Sequence, residues 1–129
     1  FAAPSWLLQL RFGRERRPSR SYDALRADYR ARLAQGGRAT GRYVPQPDTT
    51  TTEDALVRRT MLLSRWYRVN ERLQNGIRTW SENALDRARV PHPLLGRITM
   101  RELAFFTVYH DGHHIEAAKR RLPRFNPTA

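Results

Sequence analysis

No cysteine occurs in the 129 residues. That excludes a disulfide framework and every thiolate-based zinc site, so a metal would have to be held by His, Asp, Glu or water. Lysine is almost missing too: Lys119 is the only one among 24 basic residues. Acidic residues number 12, which leaves a formal net charge of +12. Such a surplus suits nucleic acid or another anionic surface. The arginines are spread along the chain, however, and GC-rich coding also favours arginine over lysine, so nucleic-acid binding is a secondary expectation. No apolar run approaches the ~20 residues that cross a bilayer. That excludes a helical membrane span and makes a cytoplasmic protein the expectation. Hydrophobic residues make up 40% and there are three tryptophans. That composition excludes a wholly disordered chain despite a mean hydropathy of -0.74. The length suits one domain with one core, and we expect a single helical domain over 1–129.

Four helical stretches are expected and no strand. The first runs from about Ser5 to Phe12 and is bounded by Gly13 and Pro18. The segment from Phe1 onward is Arg-rich and could be read as an organelle transit peptide. Its apolar opening (Phe1, Trp6, Leu7, Leu10, Phe12) reads better as the remainder of a helix, with an N-terminal portion lying upstream. The second stretch starts at Ser21, a good N-cap, and reaches Ala34, with Tyr22, Leu25, Tyr29 and Leu33 forming an apolar stripe. A Gly-, Pro- and Thr-rich connection follows, with Thr52 as a candidate cap for the next helix.

The third stretch spans about Glu53 to Leu85. Leu56, Leu63, Trp66, Leu73, Ile77, Trp80 and Ala84 recur in steps of three, four and seven, a heptad-like seam expected to pack along its length in a bundle. Thr60 and Asn70 fill the omitted turns, and Gly76 lies within. Pro91, Pro93 and Gly96 then break the pattern. Thr99 and Glu102 form a capping box, which opens the last helix near Met100 and carries it to Leu122, before Pro123. The domain is thus expected as a partial helix, long connection and short helix over 1–52, then two long core helices over 53–122.

Histidine is scarce as well: four in all, and none before His92. His110 and His114 interrupt an apolar stripe of Leu103, Phe106, Thr107, Ala117 and Ala118 on the last helix. Residues four apart are neighbours on a helix, ~5–6 Å between Cβ atoms, so two imidazoles so placed can converge on one ion. The spacing alone is a weak signal, since core histidines often only bond a carbonyl, and both readings stay open. His113 is turned ~100° from its neighbours and is a lesser candidate. His92 reads as a capping or solvent-facing loop residue.

The segment from His92 to Leu122, with its His-Pro and Gly, its Thr-x-x-Glu helix start and its mid-helix His-x-x-x-His, resembles the C-terminal part of the DinB/YfiT-like superfamily. The resemblance is weaker from Val44 to Trp80 and weakest before that. It implies an all-α four-helix bundle, incomplete at the N-terminus, with a divalent metal held by three histidines. His110 and His114 match two of these, and the third, which the family carries on its second helix, has no counterpart here. Zinc or nickel is the cation expected. Some members are transferases or isomerases that use a low-molecular-weight thiol, so a metal-dependent transferase or hydrolase-like enzyme is one expectation. A non-catalytic bundle with a degenerate metal site is the alternative, and a basic nucleic-acid-binding module the third. A homodimer is expected, because an incomplete bundle leaves apolar helix faces uncovered.

Overall fold

A computed structural model of the chain describes residues 3–38, 40–41, 44 and 54–121. Five helices and one small hairpin follow in the order α1 (Ser5–Phe12), α2 (Tyr22–Ala34), α3 (Ala55–Arg78), α4 (Glu82–Arg87), β1 (Arg89–His92), β2 (Gly96–Thr99) and α5 (Met100–Arg121). The mostly helical reading holds. So do the bounds of the first two helices and the Ser21 cap, whose side chain accepts the Ala24 amide at 3.2 Å.

Two expectations are corrected, and one lies where the structure is not described. The long third helix stops at Arg78 instead of Leu85, because Ser81 starts a new helix: its hydroxyl accepts the Ala84 amide at 3.2 Å and the chain turns at Thr79 and Trp80. The Thr52 cap falls outside the described residues; at α3 the cap is Asp54, whose carboxylate accepts the Leu56 and Val57 amides. The segment read as a plain break is an antiparallel hairpin with Arg89 opposite Thr99 and His92 opposite Gly96. Its three-residue loop closes on Gly96 at φ 71°, a left-handed position that favours glycine. Pro91 is tolerated because both strands of a two-stranded sheet are edges. Four-residue strands are too short for their alternation to stand out in sequence.

The core gathers where the hairpin meets the helices. Leu85, Ala88 and Met100 are buried together, flanked by Leu8, Ile77, Trp80, Val90 and Leu103. Ile98, Leu25 and Tyr29 are also buried, the latter two on the α2 face that packs against α5. Backbone bonds tie the layers: Met100 donates to the Ala88 carbonyl at 2.9 Å and Glu15 to that of Arg87 at 2.9 Å. The guanidiniums of Arg89 and Arg97 both donate to the last α1 carbonyl, that of Phe12. The heptad seam of α3 does not join this core along its length. Leu56, Leu63 and Trp66 are exposed, and only the C-terminal end of the seam is packed, through Ile77 and Trp80.

Candidate metal centre

The site grows from the start of α5. The capping box forms as expected: Glu102 donates its amide to the Thr99 hydroxyl at 3.1 Å and its carboxylate accepts the Thr99 amide at 3.0 Å. Arg20, just ahead of α2, clamps the same carboxylate through its amide at 2.9 Å, its Nε at 2.9 Å and its Nη2 at 3.1 Å, and also pairs with Asp28. Burial alone would raise the Glu102 pKa, but these donors outweigh it and hold the carboxyl below the usual range. One carboxylate thereby caps α5 and ties the approach to α2 against it.

From that anchor the α5 face climbs through Phe106 and His110 to His114. Tyr29 of α2 lies against it, edge-on to Phe106 at 5.1 Å and to His110 at 6.1 Å. Phe106 stacks on the His110 ring at 4.8 Å. His92 reaches in from the hairpin and meets Phe106 at 4.3 Å. Tyr29, Leu33, Val90, His92, Phe106 and His110 line a mostly apolar cleft of about 470 Å³.

The two metal candidates come together. His110 Nε2 and His114 Nε2 stand 3.0 Å apart with their rings nearly perpendicular at 86°. Two nitrogens each ~2.0–2.1 Å from one cation would be about 2.9 Å apart at a right angle and about 3.3 Å apart at a tetrahedral one. The observed spacing fits two adjacent ligands. It fits equally a direct imidazole–imidazole hydrogen bond when one ring is the donor. His110 is half-buried whereas His114 is exposed, so only the first of the pair looks into the cleft. Burial, and then the neighbouring His114 and His113, push the His110 pKa down, Asp111 opposing them. The ring is therefore held in the neutral form a ligand must have. Its Nδ1 faces the Tyr29 hydroxyl at a long 3.5 Å. Among the described residues no group of three or more His, Cys, Asp or Glu is placed to share an ion.

The other histidines take different roles. His92 Nδ1 accepts the Leu94 and Leu95 amides, both at 3.2 Å, and so caps the hairpin loop. In the neutral ring this puts the proton on Nε2. Burial, then the charges of His110 and Arg20, lower its pKa to about 4. His113 turns away, as its position on the helix requires. It lines a separate groove between α2 and α5 with Tyr22, Arg26, Arg30, Tyr109 and Arg120. Tyr29 and Arg20 were not singled out by sequence reasoning. The Tyr22–Leu33 stripe announced that α2 buries one face, but nothing in a single sequence names the helix it meets.

A family model of the DinB superfamily matches residues 5–118. The chain belongs to the DinB superfamily. The match extends well past the C-terminal segment that carried the resemblance and takes in α1 and α2. No curated protein and no solved structure matches the chain. No helix among the described residues is long and apolar enough to cross a membrane.

Proposed function

We propose that this DinB-superfamily protein holds a divalent cation, zinc or nickel, at His110 and His114 and takes a small molecule into the adjoining cleft. A thiol-dependent transfer or isomerisation is the reaction class that the family resemblance implies. The observation that carries the reading is the pair of imidazole nitrogens 3.0 Å apart at the rim of an apolar cleft.

A cation with open positions lowers the pKa of a coordinating water or thiol and so supplies a nucleophile at neutral pH. The chain's own residues provide the rest. Phe106 stacks on His110 and limits its rotation, and Tyr29 offers an oxygen on the Nδ1 side that would fix the tautomer with Nε2 free. Leu33, Val90 and Phe106 give the cleft an apolar lining beside the His110 ring, which suits an apolar part of a small substrate.

A second reading, a helical protein with a degenerate and non-catalytic site, is favoured by the want of a third protein ligand among the described residues. Elemental analysis of purified variants tests the metal assignment. His110→Ala and His114→Ala should each lose bound metal, while His113→Ala should keep it. Equal metal content in all three variants would remove the assignment.

A further inference from the structure

His92 lines the cleft beside His110, yet neither the metal assignment nor the hairpin loop uses its second ring nitrogen. Nδ1 is committed: it accepts the Leu94 and Leu95 amides, both at 3.2 Å. A nitrogen that accepts amides carries no proton, so the ring's hydrogen sits on Nε2 and can only be donated. Among the described residues Nε2 has no hydrogen-bond partner. Nor is it sealed off, because no buried side-chain nitrogen or oxygen among the described residues goes unpartnered. Nε2 is therefore reachable, and the ring stands edge-on to Phe106 at 4.3 Å and to Tyr29 at 6.2 Å, two side chains of the cleft wall. The loop cap fixes the ring and with it the direction of this N–H. Burial, ahead of the charges of His110 and Arg20, lowers the pKa to about 4, so the donor is neutral at pH 7.

The rest of the lining indicates what the donor meets. A cleft of about 470 Å³ is within the range of small-molecule sites. Leu33, Val90, Leu94 and Leu103 join the aromatic rings in it. The chain carries a formal net charge of +12, yet no Arg, Lys, Asp or Glu is among the lining residues. A charged group inside would lose its water without gaining a counter-charge from the wall, which is costly. The part of a ligand that fills the cleft is thus uncharged. Its polar atom must be an acceptor, since the unused function is a donor and the Tyr29 hydroxyl is turned to His110 Nδ1 at 3.5 Å. A ligand hydroxyl would bring a hydrogen that needs an acceptor of its own, whereas a carbonyl oxygen accepts without donating.

We propose that the cleft takes an uncharged, largely apolar carbonyl compound, and that His92 Nε2–H donates the hydrogen bond that orients its carbonyl oxygen. A donor on that oxygen also draws electron density from the carbonyl carbon, which suits attack there by a nucleophile. The inference rests on the reading of the cleft as a substrate site, and not on the metal at His110 and His114.

Three probes of similar size test it, titrated into the full chain without added metal and followed by the resonances of Val90, Leu103 and Phe106. Acetophenone has the carbonyl, α-methylstyrene puts a methylene where its oxygen is, and benzoate brings a charge. Acetophenone should bind, α-methylstyrene should bind about fivefold more weakly, and benzoate should leave these resonances unmoved. The His92 Nε2–H proton should shift with acetophenone alone. In His92→Asn, whose side-chain oxygen can still serve the loop amides, acetophenone and α-methylstyrene should bind alike. The comparison is made within each protein, so a loosened loop cannot imitate this result. Equal binding of the two in the native chain, tighter binding of benzoate, or a preference that survives His92→Asn would overturn the proposal. So would the failure of all three probes to bind at the cleft. Zinc uptake by the same samples is measured separately. Acetophenone binding without zinc uptake would sink the metal assignment and leave this inference standing, and zinc uptake without a preference for acetophenone would do the reverse.

Discussion

His92 was readable as a cap but not as a titrating group. Its Nδ1 accepts two amides, and burial beside His110 and Arg20 lowers its pKa to about 4 from the ordinary 6.5. Between those values the unfolded chain takes up a proton that the folded chain refuses, so stability must fall as pH drops through that window and be complete above it. His110, lowered by burial and its histidine neighbours, acts in the same direction. Urea midpoints followed from pH 7 to pH 4 should decline in the native sequence. His92→Asn, which keeps an acceptor for the loop amides, should decline less. A flat or rising midpoint in the native sequence would show that the ring is not held neutral by the fold. Glu15 has the opposite kind of group but the same sign at lower pH. The Arg17 amide is the largest influence, with the Arg17 side chain and the Arg16 amide aiding it against burial, and together they bring the carboxyl down to about 2.

Among elements, the contact of α2 with α5 turns on Glu102. Its carboxylate serves the α5 cap and receives three donors from Arg20. The Arg20 side chain is itself partly buried. Glu102→Ala should therefore cost about 2 kcal/mol, through loss of the cap and of the carboxylate that accepts three Arg20 donors, Arg20 keeping Asp28 as its remaining partner. Urea unfolding checks the figure, and a change under 1 kcal/mol (roughly the value of a surface pair) would mean that solvent replaces the carboxylate. The Thr99–Glu102 box was legible because a cap is a local event within four residues. Arg20 was not, since it meets Glu102 across 82 positions of chain. The α3 seam was legible as a period and misjudged as buried, because periodicity reveals that a face seeks a partner without saying whether the partner belongs to the same chain. The break between α3 and α4 was passed over for the opposite reason. Trp80 and Ala84 continued the spacing, and that continuity hid the Ser81 cap.

At the scale of the whole molecule, the charge and the histidine pair have separate consequences. The net charge of +12 has part of its arginine in internal ties: Arg20, Arg89 and Arg101 pair with Glu102, Glu15, Glu82 and Asp86 around the hairpin and the helix ends. Those arginines hold elements together and are not available to a polyanion. The fold places the histidine pair at the end of a scaffold set by the capping box, the Arg20 clamp and the His92 loop cap, with Tyr29 and Phe106 closing one side of it. Spacing in the sequence brought His110 and His114 onto one helix face. It did not show that His114 stands exposed, because exposure depends on which elements cover the far end of α5.

The most direct measurement follows all four histidine rings by nuclear magnetic resonance while zinc is added to the metal-free chain. The account predicts that the nitrogen resonances of His110 and His114 shift together as one ion binds, with His92 and His113 little changed. Shifts at His113 alone, or no shift at His110 and His114 as zinc saturates the chain, would contradict it.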